Sequence, residues 1–173
     1  MSMSESVLTK MATVPGKRAG RHFVGVGVGA IVFNAEGKVF LARRGLLASN
    51  DQGLWGWPGG EVEFGESLTA ALCREYREEF NIVIQPIYQI AAFDHLLQDG
   101  REHWVSVAFI ARYISGEPRI MEPGKCSDCG WFALDALPES LSTLSTDHLR
   151  AYRQKFGTVW NNVWREDSTG DVH

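Results

Sequence analysis

Four charged side chains, Arg74, Glu75, Glu78 and Glu79, stand within six residues of one another, downstream of a Pro58-Gly59-Gly60 turn. On a helix of 3.6 residues per turn the three glutamates fall at i, i+3 and i+4, so their carboxylates crowd one face. Like charges at that spacing weaken a helix by roughly 0.2–0.5 kcal/mol per pair, so a helix with a purely structural role gains nothing from them. A divalent cation reverses the sign. Hard oxygen ligands suit Mg²⁺, which keeps several waters and takes further ligands from substrate phosphates. The competing reading is a solvated acidic face with an Arg74–Glu78 ion pair.

The residues upstream favour the first reading. Gly60 is followed by Glu66 and then by Arg74-Glu75-Tyr76-Arg77-Glu78-Glu79, with Ile82 closing the segment. This pattern resembles the Nudix box of the Nudix hydrolases. Every charged position of the box is filled. One fixed position departs: Asn81 stands where the family has glycine. That site ends the helix in a left-handed conformation, which asparagine tolerates next best. Tyr76 is bulkier than the usual aliphatic residue at its position. The resemblance covers residues 22–156 and also takes in Trp57-Pro58-Gly59-Gly60, Met121-Glu122-Pro123 with Lys125, and Trp131-Phe132. These flanks look like the MutT-type branch, most of all the nucleoside triphosphate diphosphatases.

The resemblance implies an α/β fold, the Nudix α/β/α sandwich around a mixed sheet. It also implies roles. Glu75 and Glu79, joined by the Gly60 carbonyl, would hold Mg²⁺, with Mn²⁺ able to take its place. Glu78 would bind a second ion or help activate water, and the general base stays open among the glutamates. Arg74 would orient Glu75 or Glu78. Gly59 would line the substrate. Arg43 and Arg44 end a strand near the glycine loop, and an arginine fork matches phosphate oxygens. Strand alternation lets only one of them face the site, and Arg44 is favoured over Arg43, with a plain surface charge as the equal alternative. Trp57 either walls the base or fills core. Glu122, near Lys125, is a third carboxylate in a loop that reaches the site in similar enzymes, or simply a polar loop residue. Glu63 and Glu66 suit the helix N-terminus, and Glu66 could join an outer metal shell. His95 and His103 either reach substrate or are solvated loop residues.

The implied reaction is Mg²⁺-dependent hydrolysis of a nucleoside triphosphate to monophosphate and pyrophosphate. The nearest alternative is another nucleoside diphosphate-x compound, such as ADP-ribose, a dinucleotide polyphosphate or a nucleotide sugar. A non-catalytic nucleotide-sensing module is the alternative of a different class.

The elements that must position these groups follow from pattern. Val24, Val26 and Val28 alternate with Gly25, Gly27 and Gly29 as a strand running from His22 to Phe33. The loose dinucleotide fingerprint in it is rejected, because the run continues as strand where a helix must open. Its glycine face implies close approach of a nucleobase, a homodimer partner or an internal helix. A strand follows from Val39 to Arg43, then a loop from Gly45 to Trp55. The box helix spans Ser67 to Phe80, with Leu68, Ala71, Leu72 and Tyr76 toward the core. Strands are expected over Ile82–Phe93, Trp104–Tyr113 and Gly130–Leu134, with an Asp99-Gly100 turn between the first two. Ser145 to Phe156 reads as a helix capped by Ser145 or Thr146, its stripe Leu149, Tyr152 and Phe156.

Composition bounds the rest. The 173 residues favour one domain, residues 22–157, with a disordered arm over 1–21 and a partly docked tail over 158–173 carrying Trp160 and Trp164. A net charge of −4 argues against a nucleic-acid polymer as partner. No apolar run approaches a membrane span or a signal-peptide core. Three cysteines fit a reducing cytoplasm, and Cys126-x-x-Cys129 lacks the further ligands a zinc site needs.

Overall fold

Strand β1 (Gly25–Phe33) feeds two cores at once. Side chains alternate across a strand, so Val28, Ala30 and Val32 enter one cluster while Ile31 and Phe33 enter another. The computed structural model describes residues 16–97 and 100–157. Around β1 lie β2 (Val39–Arg44), β3 (Trp55–Gly56), β4 (Gly59–Glu61), β5 (Val83–Leu96), β6 (His103–Ser115) and β7 (Cys126–Phe132). Their order is β3-β2-β1-β6-β5, with β4 also paired to β1 and β7 to β2. Among the named strands β1 and β6 pair in parallel and the other pairs are antiparallel, so the sheet is mixed.

Helix α1 (Leu68–Phe80) covers one face through Ala71, Leu72, Tyr76 and Phe80. Helix α2 (Thr143–Phe156) covers the other through Leu149 and Tyr152. The expected α/β/α sandwich is therefore present. Tyr76, the bulky residue of the box, is fully buried and donates its hydroxyl to the Ala30 carbonyl at 2.8 Å. That bond satisfies the one polar atom that the larger ring brings into the core.

Several boundaries differ from the sequence reading. β1 starts at Gly25 rather than His22, β7 starts at Cys126 rather than Gly130, and the loop after Arg44 closes on the two-residue strand β3. Leu68 is only partly buried, and Phe80 takes its place in the core. The cap of α2 is Ser142, whose hydroxyl accepts from the Ser145 N–H. Ser145, expected as the cap, lies inside the helix and is buried. Residues 16–21 are tied to the sheet: His103 N–H donates to the Gly20 carbonyl at 2.7 Å, and Arg21 pairs with Glu102 at 2.8 Å. Residues 1–15, Asp99, and the tail with Trp160 and Trp164 lie outside the described residues. Gly100 has a φ of 64° and donates to the Leu97 carbonyl. Cys126 and Cys129 are free thiols against the α1-side core, and burial pushes Cys126 up to about 11. No helix among the described residues is long and apolar enough to cross a membrane.

Asn81 ends α1 at φ 57° and ψ 31°, its N–H donating to the Arg77 carbonyl, and its side chain donates to the Glu117 carbonyl at 3.2 Å. Glycine fits the left-handed backbone but forfeits that exposed bond and adds unfolded-state entropy. Asn81→Gly should therefore shift unfolding free energy by no more than about 1 kcal/mol. Urea titration of the two proteins checks this; a loss above about 2 kcal/mol would mean the amide does more than hold one loop carbonyl.

Candidate active site

The Pro58-Gly59-Gly60 turn brings the sheet against α1 by backbone contact. Gly59 and Gly60 pair with Gly29 and Val28 of β1. A methyl group at Gly59 would overlap the Val28 carbonyl oxygen, and one at Gly60 would overlap the Glu75 carboxylate. The two glycines thus let the strand, the loop and a helix carboxylate meet with no side chain between them.

Arg74 organises the acidic cluster. Its guanidinium grips Glu66 with two nitrogens, at 2.7 and 3.2 Å. It also reaches Glu75 at 2.7 Å, Glu78 at 3.3 Å and the Glu61 carbonyl at 2.9 Å. The hydrogen bond from Arg74 holds Glu66 below the usual carboxylate range and raises the arginine further above its own. Glu78, with its side chain 60% exposed, turns toward Arg74 and solvent. Ser67 caps the helix, accepting from Ala70 N–H at 3.2 Å, while Glu66 accepts from Glu63 N–H at 2.7 Å.

Glu75 and Glu79 are the carboxylates that lie inward. Burial pushes Glu75 up, against the pull of Arg74, and Glu78 and Glu66 push the same way. Glu79 is raised to about 7, by burial first and then by Glu75 and Glu122, while Lys125 and Arg44 pull it back. Lys125 in turn pairs with Glu122 at 2.5 Å.

Among the described residues no three His, Cys, Asp or Glu side chains converge closely enough to hold a cation alone. The donor set nonetheless fits one. Burial raises the proton affinity of both inward carboxylates and Glu75 raises that of Glu79 further, the bare Gly60 Cα cradles Glu75, and the oxygen chemistry is that of Mg²⁺ with water and phosphate completing the shell.

Two cavities that share a wall lie beside this cluster. The smaller, about 70 Å³, is lined by Arg43, Arg44, Glu79, Glu122, Lys125 and Cys126 among others. The larger, about 300 Å³, is lined by Gly27, Gly29, Asn50, Trp104, Ser106 and His148 among others. Arg44, Gly56, Trp57 and Gly59 line both. Arg44 is held by Asn50 through its carbonyl at 3.3 Å and its amide oxygen at 2.7 Å, whereas Arg43 is exposed and donates to the Gly53 carbonyl at 2.9 Å. Register with β7 slips between these two arginines, so alternation does not hide Arg43 completely. Trp57 belongs to the α2-side core and is pinned to Ser145: its backbone N–H donates to the hydroxyl at 3.1 Å and its indole to the carbonyl at 2.9 Å. His95 lines the larger cavity, while His103 pairs with Asp94 at 3.5 Å.

The site gathers residues that pattern alone did not single out: Asn50, Trp104, Ser106, Ser145 and His148. A signal for two of them was present. Ser145 and His148 sit at i and i+3 on the buried stripe of α2, where apolar residues are the rule.

The NUDIX domain model matches residues 24–154. The chain belongs to the Nudix family. Among solved structures, a MutT Nudix hydrolase from Burkholderia pseudomallei is 36% identical, with a TM-score of 0.67 over 73% of this chain and 96% of that one. Among curated relatives, the 8-oxo-dGDP phosphatase NUDT18 of Danio rerio is 35% identical over 51% of this chain and 25% of its own length. The ADP-ribose pyrophosphatase of Methanocaldococcus jannaschii is 29% identical over 68% of this chain and 64% of its own length. The chain thus spans less than two thirds of each of these two relatives. Enzymes of the Nudix family act on phosphoanhydride bonds, and the family generally uses divalent cations.

Proposed function

We propose that this Nudix domain hydrolyses a nucleoside triphosphate to nucleoside monophosphate and pyrophosphate, with Mg²⁺, or Mn²⁺ in its place. The observation that carries the reading is the junction of the two cavities at Arg44 and Gly59. One side is small and lined by cations and carboxylates, as a phosphate chain with its counter-ion requires; the other has the volume of a small-molecule pocket and suits the nucleoside.

Glu75 and Glu79, with the Gly60 carbonyl, would hold the cation, which when bound supplies charge neutralisation at the phosphate oxygens. Arg74 fixes Glu75 and Glu78 by direct bonds. Glu78 is the most exposed of the three and is placed to serve a second ion or an incoming water. Arg44 meets the phosphate tail, with Arg43 at the rim, while Glu122 and Lys125 close the far wall. Trp57 and Gly59 shape the passage between the two cavities. Phosphoryl chemistry of this kind demands positioning and charge stabilisation rather than covalent participation by the protein.

If metal and arginine together clamp the phosphate tail, pyrophosphate should leave in one step. Incubation of dGTP and dCTP with enzyme and Mg²⁺, followed by phosphorus NMR, should show monophosphate and pyrophosphate from the earliest time points. Diphosphate with orthophosphate would overturn the mechanism. The name of the Methanocaldococcus jannaschii relative favours a second reading, hydrolysis of another nucleoside diphosphate-x compound. Rapid cleavage of ADP-ribose with no turnover of any triphosphate would select it.

A further inference from the structure

The glycine face of β1 is covered unevenly. Trp104 stands beside Gly25 in register on β6, and its indole fills the places where side chains of Gly25 and Gly20 would lie. At the other end His148 of α2 lies over Gly29, its Cε1 3.4 Å from the position of a Cβ there. Between them, a Cβ at Gly27 would meet only the Gly60 carbonyl oxygen, at 3.5 Å, among the described residues within contact range. Ser106 is the neighbour of Gly27 in register. Gly25 and Gly29 are about 13 Å apart along an extended strand, so two aromatic rings bound an open gap with a flat floor.

One end of that gap holds a polar group with an unmet bond. His148 is 2% exposed, tilted on the Phe93 ring at 5.2 Å, and its Nε2 lies 3.5 Å from the Ser106 hydroxyl. Its Nδ1 has no hydrogen-bond partner among the described residues. That atom is 3.8 Å from the Gly29 Cβ position, so it faces the bare strand rather than the body of α2. Buried polar atoms are normally satisfied, and one that is not points to a missing partner. Burial holds the imidazole down at about 4, so near neutrality it is uncharged and offers one donor and one acceptor.

We propose that the gap over Gly27 is the slot for the planar heteroaromatic base of the substrate, with Trp104 as its stacking wall and His148 with Ser106 as the pair that reads its hydrogen-bonding edge. The inference rests on the nucleotide reading above and assigns to it the residues that choose among bases. An uncharged imidazole and a rotatable hydroxyl match a neutral base edge, and a flat ring needs the absence of a side chain at Gly27. Stacking on an indole is tolerant of which base is present, so discrimination falls to the His148–Ser106 end.

Two variants test it. His148→Phe keeps a ring against Phe93 and removes the unpartnered nitrogen, and Gly27→Val fills the slot at a position where a Cβ meets only an ordinary contact. Both should melt at or above the wild-type temperature. For the preferred nucleotide, KM should rise about tenfold or more with kcat changed less than about threefold. His148→Phe should also compress the spread of KM values across ATP, GTP, CTP and UTP. Unchanged KM values and base preferences in two folded variants would overturn the proposal. If the wild type turns over no nucleotide, calorimetric titration with AMP, GMP, CMP and UMP decides separately. Binding to wild type that is lost in Gly27→Val supports the slot, and equal binding, or none to either, removes it.

Discussion

Glu79→Gln should lower turnover by about three orders of magnitude or more while leaving the protein folded. The substitution keeps the side chain's shape and removes one of two inward carboxylates, so stabilisation of several kcal/mol at the phosphate oxygens is lost. Stability should move the other way. The folded-state pKa of Glu79 is raised from 4.5 to about 7. A carboxyl raised on folding binds its proton more tightly in the native state, so metal-free native protein loses stability as pH climbs through that interval. Glu79→Gln has no such loss. The variant should match wild type near pH 4.5 and exceed it at pH 8 by on the order of 2 kcal/mol. Saturating Mg²⁺ should narrow the difference at pH 8, because the ion offsets the same repulsion in wild type. Thermal melts at the two pH values, with and without Mg²⁺, test each clause. Near-normal turnover of the variant in saturating Mg²⁺ removes Glu79 from the site.

Gly59→Ala should produce the largest loss of stability of any single methyl added to the loop. The new carbon would overlap backbone atoms, the Val28 carbonyl oxygen and the Gly29 Cα, which unlike a side chain cannot rotate away. Pairing of β4 with β1 must open, and with it the approach of Gly60 to Glu75. A cost of about 3 kcal/mol or more is expected, with activity lost in proportion to the displaced carboxylate. Gly27→Ala is the matched control, since its methyl makes only an ordinary contact on the same strand pair. Denaturant unfolding of the two variants should separate them clearly. Equal stabilities would show that the β1–β4 approach yields more readily than its geometry implies.

What the residues made legible was local. The box helix, its left-handed end at Asn81 and the strand alternation of β1 depend on spacings within a few residues. The inward turn of Glu75 and Glu79 follows once Gly60 and α1 are placed. Less legible was whatever depends on distant segments. Ser142 caps α2 because Ser142 N–H donates to the Trp55 carbonyl, anchoring the start of the helix beside β3, and no window around Ser142 contains Trp55. The cysteine pair joined β7 because it pairs with β2, not because of its own sequence. The glycine face admitted a base, another subunit or a helix. Trp104 and His148 divide it into covered ends and an open middle, which only the register of β6 and the seat of α2 define.

The parallel pairing of β1 with β6 also sets the order in which the protein can assemble. Gly25 cannot meet Trp104 until β2 to β5 and all of α1 have been made, and Trp57 cannot find Ser145 until later still. Contacts this far apart in sequence close slowly, because the loop entropy is lost before they reward it. On the ribosome the acidic helix is therefore synthesised before Trp104, Ser106, Glu122, Lys125 and His148, which complete the cavities beside it. Its crowded glutamates spend that interval hydrated, and Glu79 reaches its shifted proton affinity only when the later segment carrying Glu122 and Lys125 closes beside it.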